Sequence, residues 1–163
     1  MDEFLIRPGT LADLDTVVEQ RRAMFGEMGY RDEAALAKMC VAFRPWLDRK
    51  MRDNQYLAWF AIDSGGAIAA GAGLWLMDWP PHLVAPGPWR GNIVNVYTRP
   101  ENRRLGLARR LMVDALAWCR AQHVRAVILH ASDEGRRLYE SMGFHSTNEM
   151  RILLDPATDT EEL

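Results

Sequence analysis

The stretch Arg103–Leu111, RRLGLARRL, sets four arginines around one glycine where a helix pattern begins. A helix N-terminus already carries partial positive charge, so cations placed there oppose the macrodipole. In a chain of 163 residues with formal net charge −2, that concentration points to an anion from outside the chain. Gly106 allows close backbone approach to a ligand, and Ala108 adds little bulk. The amides of about Leu105 to Arg109 have no acceptor within such a helix and are donors to whatever lies beyond it. Donors and dipole together make a phosphate site that the arginines strengthen. An isolated R-x-x-G-x-A more often opens a solvated helix, so the surrounding sequence must decide. Other phosphate loops fit worse, since neither G-x-x-x-x-G-K-[ST] nor G-x-G-x-x-G after a first strand occurs.

Outward from that point the chain reads as α/β. The arginines follow an apolar strand, GNIVNVYT (91–98), closed by Pro100. A long helix is expected from about Gly106 to His123, with 105, 108, 112, 115 and 119 on one seam beside 107, 111, 116 and 118. VRAVILHA (124–131) is a buried-strand pattern. A short helix then starts at Ser132 as N-cap, with Gly143 suited to the left-handed position after it and Phe144 folding back. NEMRILL (148–154) reads as a final strand, followed by an acidic tail over about 156–163 expected to fray.

Upstream, FLIR (4–7) is a short strand, and Thr10 with Asp13 resembles a capping box opening a helix that Gly29 ends. Leu14, Val17, Val18, Arg21 and Met24/Phe25 form its mostly apolar stripe. A second helix runs from about Glu33 to Arg52, with a break expected at Pro45. QYLAWFAID (55–63) and AIAAGAGLWLMD (67–78) flank SGG as a hairpin, and WPPHLVAPGPW (79–89) is a proline-rich loop. The order is β-α-α-β-β-β-α-β-α-β, one domain over 1–163 with a mixed sheet.

Composition narrows the function. A hydrophobic fraction of 48% and a charged fraction of 26% are those of a globular protein. A pI near 6.1 argues against general nucleic-acid binding. MDEFLIRPGT has acids where a secretory leader has basic residues, and no apolar run is long enough to span a bilayer. Two cysteines without a leader suggest a reducing compartment, so a cytoplasmic protein without a membrane or nucleic-acid partner is expected. His82, His123, His130 and His145 lack metal-ligand spacing, and neither cysteine has a C-x-x-C partner, so no metal is expected. Cys40 and Cys119 lie on apolar helix faces, which disfavours a ping-pong mechanism through a thiol.

Arg103, Gly106 and Ala108, then Tyr139, Gly143 and Phe144, give the chain its resemblance to a known family. A strand, [QR]-x-x-G-x-[GA] opening a helix, another strand and a short helix ending in Y-x-x-x-G-F together resemble the GNAT superfamily of acetyl-CoA-dependent N-acetyltransferases. Each motif alone is common, and both at this separation are specific. The likeness is strong from about Asn92 to Leu154; upstream only the order of elements matches.

The resemblance implies a GNAT-type, mostly antiparallel sheet flanked by helices, with two central parallel strands splayed at the cofactor site. It implies that Arg104, Leu105, Gly106, Leu107, Ala108 and Arg109 hold the coenzyme A pyrophosphate through backbone amides, with Arg103 also among the cofactor-binding residues. Val96, Tyr97 and Thr98 would pair with the pantetheine arm, and Ser132 stands where many members have asparagine. A homodimer pairing through the last strands is a further family expectation.

Direct attack of an amine on the thioester needs a neutral amine, an oxyanion donor and an acid for the departing thiolate. Alkyl ammonium groups have a pKa of about 10.4, so only about one in a thousand is free at neutral pH. A backbone N–H near Val96 or Tyr97 is the simplest oxyanion donor. Tyr139 matches the family's acid, and packing against the pantetheine is its alternative role. Glu27, Asp78 and His130 are candidate bases, each more often structural at such a position, and none is assigned. The acceptor pocket is expected from MFGEMGYRDE (24–33) and the 78–91 loop, where Trp79, His82 and Trp89 either line a binding surface or pack over the sheet. The acceptor expected is a small-molecule amine. The alternatives are a protein or peptide amine, or a regulator that binds coenzyme A without turnover.

Overall fold

The computed structural model describes residues 4–154, which divide into a unit ending at His130 and a second beginning at Ala131. The first contains β1 (Leu5–Pro8), α1 (Leu14–Glu27), α2 (Glu33–Arg52), β2 (Tyr56–Ile62), β3 (Ile68–Asp78), β4 (Trp89–Thr98), α3 (Leu107–Ala121) and β5 (Val127–Leu129). Its strands form one sheet in the order β1-β2-β3-β4-β5. Every pairing is antiparallel except β4 with β5, which is parallel. This is the mixed, mostly antiparallel sheet flanked by helices that the sequence predicted.

Alternation along the strands divides the core between two faces. Tyr56, Ala58 and Phe60 of β2 join Leu14 and Val17 of α1 and Leu47 of α2 in one buried cluster, with Phe43, Trp46, Trp75 and Val94 packed around it. The intervening Trp59 and Ala61 are buried as well and face the other way, toward α3. There α3 buries Leu107, Leu111, Met112, Ala115 and Cys119. Fully burying side chains such as Leu107 and Leu111 contributes about 1.5–3 kcal/mol each. Leu105, expected on that seam, precedes the helix and is half exposed.

Two local expectations change in three dimensions. Helix α2 runs unbroken through Pro45. The proline removes the hydrogen bond to the Val41 carbonyl, and Val41 is exposed, so water can satisfy that group. A predicted strand over 124–131 shortens to Val127–Leu129, each residue only half-buried. The start of α1 behaves as predicted in kind, through a 3-10 turn over Leu11–Asp13 in which the Asp13 carboxylate accepts from the Thr10 amide at 2.7 Å.

The second unit has one helix, α4 (Asp133–Ser141). Ser132 caps it, its hydroxyl oxygen accepting from the Gly135 amide at 3.2 Å. Gly143 adopts φ +95°, and the Phe144 amide donates to the Tyr139 carbonyl at 3.1 Å, the closing bond of a Schellman turn. The predicted strand over 148–154 is not formed, so the fold order ends at α4. Met150, Ile152, Leu153 and Leu154 are exposed, and no strand pairs with them among the described residues. An apolar run becomes a strand only where a sheet edge accepts its hydrogen bonds. The same strand was expected to carry dimer pairing. The acidic tail over 156–163 lies outside the described residues.

Candidate active site at the end of β4

Between β3 and β4 the register slips: Gly71 pairs with Tyr97 but Gly73 pairs with Val94. Strand β4 therefore carries one extra residue, a bulge. Asn95 takes it up in a left-handed conformation, φ +54°, and is buried. Its amide nitrogen Nδ2 donates to the Tyr56 hydroxyl at 2.9 Å, and its Oδ1 accepts from Arg21 Nη1 at 2.8 Å. The Tyr56 hydroxyl occupies the space that a Cβ on Gly73 would need, so that glycine admits the cluster. Burial pushes the Tyr56 phenol up to about 12.

Pairing between β4 and β5 covers only Gly91–Ile93 against Val127–Leu129. From Val94 to Thr98, β4 runs on without β5 beside it. Among the described residues no strand pairs with that edge over Val96, Tyr97 and Thr98, which suits an extended ligand that pairs as a strand does.

After β4 the chain makes a 3-10 turn over Pro100–Asn102 and reaches α3 through Arg104 at φ +62° and Gly106 at φ +75°. Gly106 is the N-cap, and a Cβ there would meet open space, so the glycine is required by its backbone angle and not by crowding. The Arg110 amide donates to the Gly106 carbonyl at 3.1 Å, which begins the helical ladder. The amides of Leu107, Ala108 and Arg109 precede it at the positive end of the dipole.

The arginines of the opening motif divide by role. Arg103 donates through Nε to the Thr98 carbonyl at 3.1 Å and is ion-paired to Glu27. Arg110 donates to the Phe4 carbonyl at 2.6 Å, holding the first strand to α3. Arg104 and Arg109 are exposed at the helix start.

Glu27 also accepts a long contact, 3.4 Å, from the Tyr97 hydroxyl. Burial, aided by the nearby Glu27 charge, holds the Tyr97 phenol above its ordinary pKa. Glu27 is thus engaged by both Arg103 and Tyr97. Asp78 ends β3 opposite Trp89, which is the first residue of β4 and not part of the loop. Trp79 packs under the buried Arg90, whose guanidinium carbon lies 4.4 Å from its ring centre, while His82 is exposed in a turn. His130 is exposed just past β5. Burial pushes the Cys119 thiol up to about 11, away from nucleophilic readiness.

In the second unit, Tyr139 lies against Gly135 and meets Phe144 edge-on, 6.1 Å between ring centres. Burial raises its phenol above the ordinary value, so it is protonated at neutral pH. Ser132 uses its oxygen as a helix cap. Among the described residues, no group of three or more His, Cys, Asp or Glu is placed to hold a metal ion, and no helix is long and apolar enough to cross a membrane.

The cluster that the sequence did not reveal is Arg21, Asn95 and Tyr56. Arg21 gave a visible signal, a cation within an apolar stripe. Asn95 gave none, because its role depends on the bulge.

An antiparallel sheet whose last pair is parallel and parts beside a glycine-capped helix start defines an acetyltransferase-type fold. The model of the Acetyltransferase (GNAT) family matches residues 17–144, and the chain belongs to that family. A GCN5-related N-acetyltransferase from Ralstonia eutropha JMP134 is similar, with 38% identity, a TM-score of 0.86, and coverage of 93% of this chain and 99% of that one. A predicted acetyltransferase from Clostridium acetobutylicum, solved with acetyl-CoA, shares the fold at 23% identity and a TM-score of 0.85, covering 93% of this chain and 96% of its own. The aminoglycoside N-acetyltransferase AAC(6')-Iy in complex with CoA shares it at 15% identity and a TM-score of 0.69, covering 96% and 97%. No curated protein matches the chain.

Proposed function

We propose that the protein transfers an acetyl group from acetyl-CoA to a primary amine of a small molecule, by direct attack. The observation that carries this reading is the open edge of β4 from Val94 to Thr98, running into the glycine-capped start of α3. These features fit coenzyme A: an extended pantetheine arm suits the strand edge, and a pyrophosphate suits free amides at a helix N-terminus. Val96, Tyr97 and Thr98 hold the arm, and Leu105 to Arg109 hold the pyrophosphate, with Arg104 adding charge. Arg103 contributes by tying the turn to Thr98 and Glu27.

When bound, the cofactor supplies an activated acetyl carbonyl. A backbone N–H near Val96 or Tyr97 stabilises the developing oxyanion. The amine nitrogen forms a bond to the carbonyl carbon, the carbon–sulfur bond breaks, the nitrogen loses a proton and the thiolate gains one. Tyr139 is the proposed proton donor, supported by its place in Y-x-x-x-G-F and by its protonated state. Ser132, whose hydroxyl proton is not used in capping, is a further proposed contact to the arm. Glu27, Asp78, Trp79 and His82 remain proposed acceptor-side residues, and the engaged state of Glu27 favours positioning over proton removal. We place the reaction in the cytoplasm, as the two free thiols suggest, in one catalytic domain spanning the chain.

The test is thiol release from acetyl-CoA against amino acids, polyamines, aminoglycosides and short peptides, with an amine-free control. Turnover with one small-amine class supports the proposal. Turnover with peptides alone moves the acceptor to protein, and calorimetric binding without any turnover makes the chain a coenzyme A-binding regulator.

A further inference from the structure

Arg21 is a cation inside an aromatic layer, with no carboxylate partner among the described residues. Its guanidinium carbon lies 4.9 Å from the ring centre of Phe25 and 4.5 Å from that of Phe43. Nη1 donates to the Asn95 side-chain oxygen, Nε is buried without an acceptor, and Nη2 has no hydrogen bond among the described residues. Arg7, Arg22, Arg44, Arg52 and Arg103 each have a carboxylate partner. The groups that bear electrostatically on Arg21 are Tyr56 and Cys40, and burial holds its pKa below the ordinary arginine value.

Withdrawing a guanidinium from water without a counter-charge is costly, and an anion that reaches it recovers part of that cost. The two rings hold the guanidinium plane, which leaves the unused Nη2 N–H groups pre-oriented for an anionic oxygen. Position supplies the functional link. Arg21 is bonded to Asn95 on the bulge, directly before the Val96–Thr98 edge proposed for the pantetheine arm. An anionic group held there would lie beside the segment where acyl transfer is proposed.

We infer that Arg21 recognises an anionic oxygen group, carboxylate or phosphate, on the amine acceptor, so that the substrate class is small amino acids or amino phosphates and not simple amines. The inference rests on the acetyl-transfer reading above. It adds the feature by which the acceptor is selected. Asn95 positions the guanidinium through Oδ1, and Tyr56 holds Asn95 in turn.

The experiment compares acceptors of matched length ending in carboxylate, phosphate or neutral carboxamide, on the wild type, Arg21→Met and Arg21→Lys. A charge-assisted hydrogen-bonded contact predicts that the wild type prefers one of the acidic acceptors by about 10- to 100-fold in kcat/KM. Arg21→Met should collapse that ratio toward one, and Arg21→Lys, which keeps the charge and loses the fork, should retain part of it. The preferred acidic arm identifies the group. Calorimetry of the corresponding N-acetylated acid, with coenzyme A present, provides a readout independent of turnover, with binding expected to the wild type and lost in Arg21→Met.

Equal wild-type rates for acidic and neutral acceptors would overturn the inference while leaving acetyl transfer intact. So would an equal fall for both classes in Arg21→Met, since that is what a structural cation produces. If no amine is acetylated, the broader reading fails, and the N-acetylated acid still decides whether Arg21 holds an anion. Should Arg21→Met not fold, the comparison of wild type with Arg21→Lys carries the same decision.

Discussion

The Arg103 guanidinium is ion-paired to the Glu27 carboxylate across 76 residues of chain, which ties the end of α1 to the turn before α3. The Tyr97 hydroxyl contacts the other Glu27 oxygen. A carboxylate so engaged serves the architecture of the cofactor site better than it serves proton removal. Glu27→Gln should therefore keep kcat within about ten-fold of wild type, because loss of a general base costs about 10²–10⁴-fold. Steady-state rates across a pH series check this. A fall beyond about 100-fold, with loss of the acid limb, would make Glu27 the base.

Gly106 combines φ +75° with open space around its Cβ position. Gly106→Ala should cost about 1–2 kcal/mol of stability from backbone strain alone. Acetyl-CoA binding by that variant should persist. Gly106→Glu places a negative charge where the pyrophosphate is proposed and should abolish binding. Calorimetry with acetyl-CoA separates the two, and full affinity in the glutamate variant would remove the anion site from α3.

Tyr139 is protonated at neutral pH, because burial raises its phenol and so favours the uncharged form. As an acid with a raised pKa, it should let the rate hold beyond about pH 10, the ordinary phenol value, and fall only above it. Tyr139→Phe should lower kcat by about 100-fold or more with little change in acetyl-CoA affinity. An undiminished rate between about pH 6 and about pH 9 would leave Tyr139 only its packing role.

The Asp13 carboxylate accepts from Arg7 Nη1 and Nη2, at 2.8 and 2.7 Å, and from the Thr10 amide. The Arg7 hydrogen bonds hold its carboxyl below the ordinary range. A lowered folded-state pKa contributes stability that is present above about pH 3.9, the unfolded value, and is lost as pH falls through the folded value. Asp13→Asn should cost about 1–3 kcal/mol at neutral pH. The gap from wild type should close in acid, as urea denaturation at successive pH values would reveal.

Much of this architecture was legible in the chain before folding was considered. The capping pair Thr10 and Asp13, the Ser132 cap and the Gly143 turn all act within a few residues of themselves. Gly106 at a helix start belongs to the same class. Pro45 misled for a local reason, because its cost depends on whether the Val41 carbonyl meets water. The 148–154 run misled for a non-local one: an apolar run becomes a strand only where a partner edge accepts its hydrogen bonds.

The sequence by itself determined where the helices lie, the glycine-capped start of α3 and the family, because periodicity, caps and left-handed glycines are properties of short segments. Tertiary structure alone decided that Arg103 belongs to Glu27 and that Arg21, Asn95 and Tyr56 meet, and it set the end of the β4–β5 pairing at Ile93. Those contacts join α1, β2 and β4 across 74 and 39 residues of chain. A single extra residue in β4 sets their alignment. Shifting a strand by one position turns every side chain to the opposite face, so the cluster of Arg21, Asn95 and Tyr56 exists only once the register is set.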